Sequence, residues 1–443
     1  MNNFNQSYIA LITFVAALGG LLFGFDIAII TGAIPFIKPH FGLNDLQLGW
    51  GVSSLLVGCV FGAAIAGRIT DLYGRKTILI AVAVLFAITC IGTGLAPNFD
   101  LFVIARLLGG LAVGAASIIS PMYISEIAPF QIRGKLVSVY QLSIVTGILI
   151  SYFINYQLHD IGPDNWRWMF ASGAVPSALF FGLLFFVPET PRFLYKKGMV
   201  DQAFNVLKRI GGKANADKEI DQIKRSLSNT KTGFKELFKP DLRRVMWVGF
   251  GLAVFVQFSG INTIIDYAPV ILETAGWNID AALFSTFVIG AVNVVFTLVS
   301  IYTIDKFGRK KLYLIGSAGM SIILVIITIT NLTGHFKGGL VLILIILFIA
   351  FFGACIGPVF WTLISEIFPN RIRGTAMSVP VFTQWIANAI VVLLFPWLLN
   401  YGGGAITFGI LAFCAIFMFF FTLYYVPETK GKTLEEIESF WKN

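Results

Sequence analysis

Residues 67–76 read GRITDLYGRK, and residues 303–311 read TIDKFGRKK. From there the chain repeats itself in order. SEIAPFQIRG at 125–134 returns as SEIFPNRIRG at 365–374, and VPETPR at 187–192 returns as VPETKGKT at 426–433. Asp71 thus matches Asp305, Glu126 matches Glu366, Arg133 matches Arg373 and Pro188 matches Pro427, at offsets of 234 to 240 residues. A repeat of that length in a very apolar chain describes two homologous membrane halves, which is how secondary transporters enclose a central site.

Composition agrees. Of 443 residues, 57% are hydrophobic and 12% charged, whereas soluble domains carry about 25% charged residues. Twelve apolar runs fall near 8–32, 47–67, 77–95, 100–122, 135–157, 166–187, 244–272, 281–304, 312–332, 338–361, 375–399 and 404–426. Each approaches the roughly 20 residues that a bilayer-crossing helix needs. No stretch alternates as a barrel strand would, and lipid-exposed backbone must satisfy itself within a helix or a closed barrel. The expected fold is an all-α membrane protein of twelve transmembrane helices in two pseudo-symmetric six-helix halves. The halves are 1–187 and 244–426, joined by a cytoplasmic helical linker at 188–243 and followed by a cytoplasmic tail at 427–443. In the linker, Ala203, Val206, Leu207 and Ile210 follow the i, i+3, i+4, i+7 spacing of an amphipathic helix; a disordered tether is the alternative. The first apolar run follows MNNFNQSY, which lacks a basic n-region, and is too long for a signal-peptide core. It is expected to remain as the first span.

The net charge of +9 follows the connections between runs. Basic residues gather in alternate connections: Arg68, Arg75 and Lys76; Arg133 and Lys135; the linker; Lys306, Arg309, Lys310 and Lys311; Arg371 and Arg373. The other connections hold Lys38, Arg167 and Lys337. The positive-inside rule then places the basic loops and both termini in the cytoplasm, and the surplus charge sets topology rather than nucleic-acid binding. Cys59, Cys90, Cys355 and Cys414 lie inside apolar runs without a C-x-x-C pair, which argues against a disulfide framework or zinc site. His40, His159 and His335 are scattered over expected external loops, so no metal or other cofactor is expected. Gly20 and Gly24, Gly58 and Gly62, and Gly110 and Gly114 form G-x-x-x-G pairs suited to close helix packing.

Charges inside a span are costly and mark pathways or coupling sites. Asp26 lies in LLFGFD and Arg106 in ARLLGG, an acid and a base in the same half. An unpaired carboxylate in such surroundings takes a proton, the response a proton-coupled carrier needs; a permanent ion pair that fixes packing is the plainer alternative. Gln141, with Ile148 and Asn155 at seven-residue steps, Gln257 and Asn262 around Gly260, and Gln384 and Asn388 beside Trp385 supply uncharged donors and acceptors. Trp361, after Gly357 and Pro358, adds a second indole face. Amides and indoles without a cationic cluster fit a neutral polyol better than an anion, the alternative being interhelical polar glue. Gly260, Gly357 and Pro358 should interrupt their helices near the midplane, where transporter substrates bind. Acid and base at matched places in both repeats can form ion-pair networks across the inner face.

These motifs bring the chain close to a known family. RITDLYGRK, PMYISEIAPFQIRGKL, VPETPRFL, QFSGIN, GPVFW, SEIFPNRIRG and TQWIAN, spread over essentially the whole chain, resemble a sugar porter of the major facilitator superfamily, the group that holds the bacterial proton-coupled xylose symporter and animal glucose facilitators. The resemblance implies Asp26 as the proton-coupling acid and Arg106 as its partner. It implies Gln141, Gln257, Asn262, Trp361 and Gln384 as sugar contacts, with Phe23, Tyr267, Trp385 and Asn388 lining the same cavity. It implies a cytoplasmic gate of Arg75, Glu126, Arg133, Arg192, Arg309, Glu366 and Arg373, to which the repeat adds Asp71 and Asp305. Val256 replaces the first glutamine of the family's QQ, Ile148 stands where the xylose symporter has a glutamine, and Asp266 replaces an aromatic residue in YYAP; these three are candidate specificity determinants. For Asp266 three roles stay open: a second titrating group, a contact for an amino sugar or extra hydroxyl, or a wetted residue of the outer vestibule.

The expected function is a proton-coupled monosaccharide symporter working by alternating access as a monomer in the bacterial inner membrane. A sugar uniporter of the same fold is the first alternative. A sugar sensor is disfavoured by the short tails. A membrane enzyme is disfavoured because no nucleophile–base pair or metal set appears.

Overall fold

The computed structural model describes residues 4–129, 132–228, 240–368, 373–432 and 441, the side chains of 225–228, 240–241 and 373–375 excepted. Every regular element among them is helical. In the first repeat these are α1 (Gln6–Phe41), α2 (Asp45–Tyr73), α3 (Arg75–Gly94), α4 (Phe99–Ile127), α5 (Arg133–Leu158), α6 (Asn165–Ser172) and α7 (Ala174–Leu184). The linker holds α8 (Pro191–Lys196) and α9 (Val200–Ser228). The second repeat holds α10 (Pro240–Phe258), α11 (Ile261–Asp266), α12 (Ala268–Thr274), α13 (Ile279–Phe307), α14 (Arg309–Leu332), α15 (Gly339–Cys355), α16 (Gly357–Ile367), α17 (Arg373–Trp397) and α18 (Gly403–Tyr425).

Among the described residues, eleven helical stretches are long and apolar enough to cross a bilayer, and the last of them, Ala376–Tyr425, runs for 50 residues. At 1.5 Å per residue that is about 75 Å, more than twice the roughly 30 Å of a hydrocarbon core. It is two spans, α17 and α18, divided by the π-turn Leu398–Gly402 and by Gly403 at φ 73°. Twelve spans result, matching the twelve apolar runs. Large apolar side chains stand exposed along them, among them Phe61, Ile88, Ile322 and Phe413, as lipid-facing positions should.

Local signals explain where helices begin. Asn44 and Gln47 exchange side-chain bonds to each other's backbone N–H groups (2.9 and 3.0 Å) at the start of α2, a capping box. Asn98 and Asn278 cap α4 and α13 by accepting from Leu101 N and Ala281 N, both at 2.9 Å. The repeat is visible in packing: α3 lies on α4 and α7 as α14 lies on α15 and α18. In the linker, Ala203, Leu207 and Ile210 are buried along one face of α9, and Val206 is half-buried. That helix breaks at Gly211 and Gly212, the latter at φ 78°.

The described residues group by contact into two compact units. The first is drawn from Met1–Asp26, Gly58–Gly147 and Phe170–Lys231, the second from Ile27–Val57, Ile148–Met169 and Thr232–Asn443. In the first unit, α2 and α4 touch backbone to backbone. A methyl group at Gly58 would strike the Leu107 carbonyl, and one at Gly114 would strike Cys59 O. Close approach through small residues is how helices gain contact in lipid. His40 departs from the loop expected for it: it sits in the last turn of α1, its ring 5.2 Å from that of Trp166. Its neighbours extend the helix past the apolar run at 8–32, because α1 continues to Phe41.

Candidate functional site

The first unit brings Asp26 and Arg106 together. Asp26 projects from α1 and Arg106 from α4, and they are 5% and 1% exposed. Arg106 Nη1 donates to Asp26 Oδ1 at 3.1 Å and to the Asp26 backbone oxygen at 3.0 Å. Its guanidinium lies 5.5 Å from the centre of the Phe170 ring. The second carboxylate oxygen, Asp26 Oδ2, is buried without a hydrogen-bond partner. A buried polar atom left open is rare and calls for a role. An acid with one oxygen held by a cation and one free can accept a proton there without rearranging its neighbours. Phe23, one turn earlier on α1, is buried, and Gln141 on α5 is half-buried.

The second unit carries the remaining amides and indoles. The chain breaks between α10 and α11 at Gly260, which adopts φ 82°, a conformation open mainly to glycine. The break folds Asn262 back so that its Nδ2 donates to Gln257 Oε1 at 2.7 Å. A second interruption falls at Ile356, between α15 and α16, and Trp361 is half-buried five residues beyond it. Trp385 and Asn388 on α17 are buried, and Gln384 is half-buried with its Oε1 enclosed and unbonded. Tyr267 is buried, its hydroxyl donating to Val392 O at 3.2 Å, so it acts here as a strut between α17 and the segment after α11. Ile148 and Val256 are buried. Asp266 is 2% exposed, which does not fit the wetted-vestibule role; the other two stay open.

At the basic end each repeat builds the same cluster. Arg75 Nη2 reaches Glu126 Oε1 at 3.0 Å and Asp71 Oδ1 at 3.3 Å; Arg309 Nη2 reaches Glu366 Oε1 at 3.0 Å and Asp305 Oδ1 at 3.1 Å. Each trio is formed within one repeat. Arg133 Nη2 donates to Ala128 O at 3.4 Å, Arg192 is half-buried at the start of α8, and the Arg373 side chain lies outside the described residues.

Sequence reasoning missed two carboxylates in these clusters. Glu189 accepts from the backbone N–H groups of Arg75 (3.1 Å) and Lys76 (2.9 Å), the first two residues of α3. Glu428 accepts from Arg309 N at 2.9 Å, at the start of α14. Both cap a helix whose N-terminal dipole favours negative charge. A side chain at the preceding Gly74 or Gly308 would collide with the capping carboxylate. Burial pushes Glu189 above the ordinary glutamate range, opposed by the N–H groups of Thr190, Lys76 and Arg75 and then by the Arg75 charge. The signal was present, because VPET follows GRK in both repeats. Asn293 on α13, 4% exposed with its Oδ1 buried and unbonded, was also overlooked.

A family model described as Sugar (and other) transporter matches residues 12–441. The chain belongs to that family. It is 41% identical to the arabinose-proton symporter of Bacillus subtilis (strain 168), covering 99% of this chain and 96% of that protein. It is 40% identical to the D-xylose-proton symporter of Escherichia coli (strain K12), covering 99% and 97%. The inward open conformation of the xylose transporter XylE from E. coli matches with a TM-score of 0.87 at 38% identity, covering 98% of this chain and all of that one. The major facilitator superfamily proton:xylose symporter XylE bound to 6-bromo-6-deoxy-D-glucose matches with a TM-score of 0.84 at 39% identity, covering 99% of this chain. The fold is therefore the twelve-span major facilitator fold, and this sugar-transporter family member is a membrane carrier, not an enzyme.

Proposed function

We propose that this protein is a proton-coupled monosaccharide symporter in which Asp26 is the coupling acid and Arg106 its partner. The observation that carries the reading is the buried ion pair with one open carboxylate oxygen. A proton added at Oδ2 neutralises the acid and weakens its attraction for Arg106. The guanidinium keeps two other contacts, the Asp26 carbonyl and the Phe170 face, so it is not stranded when the charge opposite is lost. Named relatives that couple a proton to xylose or arabinose support the same reading.

The substrate is held by neutral groups. Gln141, Gln257, Asn262, Gln384 and Asn388 offer amides to hydroxyl groups, Trp361 and Trp385 offer apolar faces to sugar C–H groups, and Phe23 and Tyr267 border the site. Ile148 and Val256 withhold amides, and Asp266 adds a carboxylate, so these three set which sugar fits. The charged trios, with Arg133, Arg192 and Arg373, form a gate at the cytoplasmic end. In this reading both termini are cytoplasmic, the protein resides in the inner membrane, and one chain suffices for transport.

Asp26→Asn keeps the shape and removes the titration. It should abolish concentrative uptake in proteoliposomes while sparing equilibrium exchange of labelled sugar. Concentrative uptake that survived this change would remove Asp26 from the coupling role; a parent that neither concentrates sugar nor moves protons would instead be a uniporter.

A further inference from the structure

The short helix α11 has a backbone acceptor that the usual helical donor four residues on does not satisfy. The residue four positions after Ile265 is Pro269, which has no N–H, and a buried carbonyl without a donor is costly. Two side chains from the first repeat meet it. Tyr152 on α5 donates its hydroxyl to Ile265 O at 2.9 Å, and Thr31 on α1 donates to the same oxygen at 3.4 Å. Asn155, one turn beyond Tyr152, donates from Nδ2 to Ile29 O at 3.1 Å and binds α5 to α1. Thr31 and Tyr152 are 0% and 2% exposed. The Tyr152 ring lies against Gly290 of α13, where a methyl group would collide with it.

We infer that Tyr152 is a positioning residue for transport, whose hydroxyl holds α11, and with it Asn262, in place through the Ile265 carbonyl. The role rests on the sugar-site reading of Asn262. α11 is bounded by the left-handed Gly260 and by Tyr267 at φ −111°, so it is joined to its neighbours by two non-helical residues and can move as a unit. With the clamp formed, Asn262 faces Gln257. With the clamp released, α11 and its amide are free to leave that position. Thr31 lies on α1 five residues after Asp26, so the helix that carries the acid also carries one jaw of the clamp.

The test uses the full-length protein in detergent with a reporter, Thr263→Cys, on the buried face of α11, and measures maleimide labelling above the background of the four native cysteines. Tyr152→Phe keeps the ring and removes the donor. One hydrogen bond of ordinary worth predicts labelling faster by about fivefold. Thr31→Val should raise the rate by less, since its bond is longer. Adding Pro269→Ala to Tyr152→Phe supplies an N–H four residues after Ile265 and should return the rate toward the parent's, a rescue that loss of general stability would not give. Unchanged labelling in a folded Tyr152→Phe protein overturns the inference. If that variant does not fold, unchanged labelling in Thr31→Val does so. A double variant that stays fast also overturns it, by moving the hydroxyl's effect away from Ile265. Labelling needs no sugar and no proton gradient, so a failure of the symport reading would appear separately, as absent uptake by the parent.

Discussion

Removing one member of the Asp26–Arg106 pair has different consequences depending on which member is removed. The charges approach to 3.1 Å with side chains 8% and 1% exposed. At an effective dielectric constant near 20, their attraction is about 5 kcal/mol. Breaking a buried pair by deleting one partner costs about 3–5 kcal/mol, because the survivor is left uncompensated. In Asp26→Asn the survivor is a guanidinium, which cannot give up its proton, although the Asp26 carbonyl and Phe170 still hold it. A loss near 3 kcal/mol follows near pH 8, where the parent's acid is charged, and it persists in the variant because the guanidinium cannot titrate away. In Arg106→Met the survivor is a carboxylate, which can escape its cost by taking a proton. That variant should be damaged near pH 8 and recover near pH 5. For 443 residues, unfolding entropies of roughly 0.9 kcal/mol per degree convert 3 kcal/mol to about 3 °C in the thermal midpoint. The assay is thermal unfolding of purified parent, both single variants and the double variant across that pH range. The double variant should lose less than the two single losses added together. Equal, pH-independent losses in the two single variants would refute the argument, since they would mean that the carboxylate gains nothing by protonation.

Glu189 makes a prediction of opposite location and defined sign. Its folded-state titration lies above the unfolded value of about 4.3, so the stability it contributes is present below that pH and is lost as pH rises through its raised value. The thermal midpoint of the parent should therefore fall more steeply than that of Glu189→Gln over this window; parallel curves would show that the cap does not titrate as its burial requires. For the substrate site, Asn262→Ala removes one amide from the Gln257–Asn262 pair and should weaken thermal stabilisation by the bound sugar about fivefold in apparent affinity. A screen of hexoses, pentoses, inositols and amino sugars identifies that sugar, and unchanged affinity in the variant would remove Asn262 from the site.

The architecture was readable because the repeat and the apolar runs are properties of residue type and order. The Asp26–Arg106 pair was readable because two charges in one apolar half have few other partners. The break at Gly260 and the Gln257–Asn262 pair were readable because a glycine between two amides leaves them close in sequence. Interactions with backbone were not readable in the same way. Tyr152 donates to a carbonyl 113 residues away, and the need for that donor arises from Pro269, which nothing near Tyr152 announces. Glu189 and Glu428 act on helix N-termini that lie more than 100 residues before them. Asn155 fell in a seven-residue series with Gln141 and was grouped with it, but its amide serves α1 rather than the series. Asp266 could be seen as unusual from sequence, but its depth, at 2% exposed, could not.

The central claim is that sugar and proton move together, and proton movement is the direct measurement. Protein is reconstituted into vesicles holding a pH-sensitive dye, without a pre-existing pH gradient, and a sugar identified by the thermal screen is added outside. The account predicts that sugar entry acidifies the lumen of parent vesicles and leaves the lumen unchanged in Asp26→Asn vesicles. Sugar entry into parent vesicles with no change in lumenal pH would contradict it.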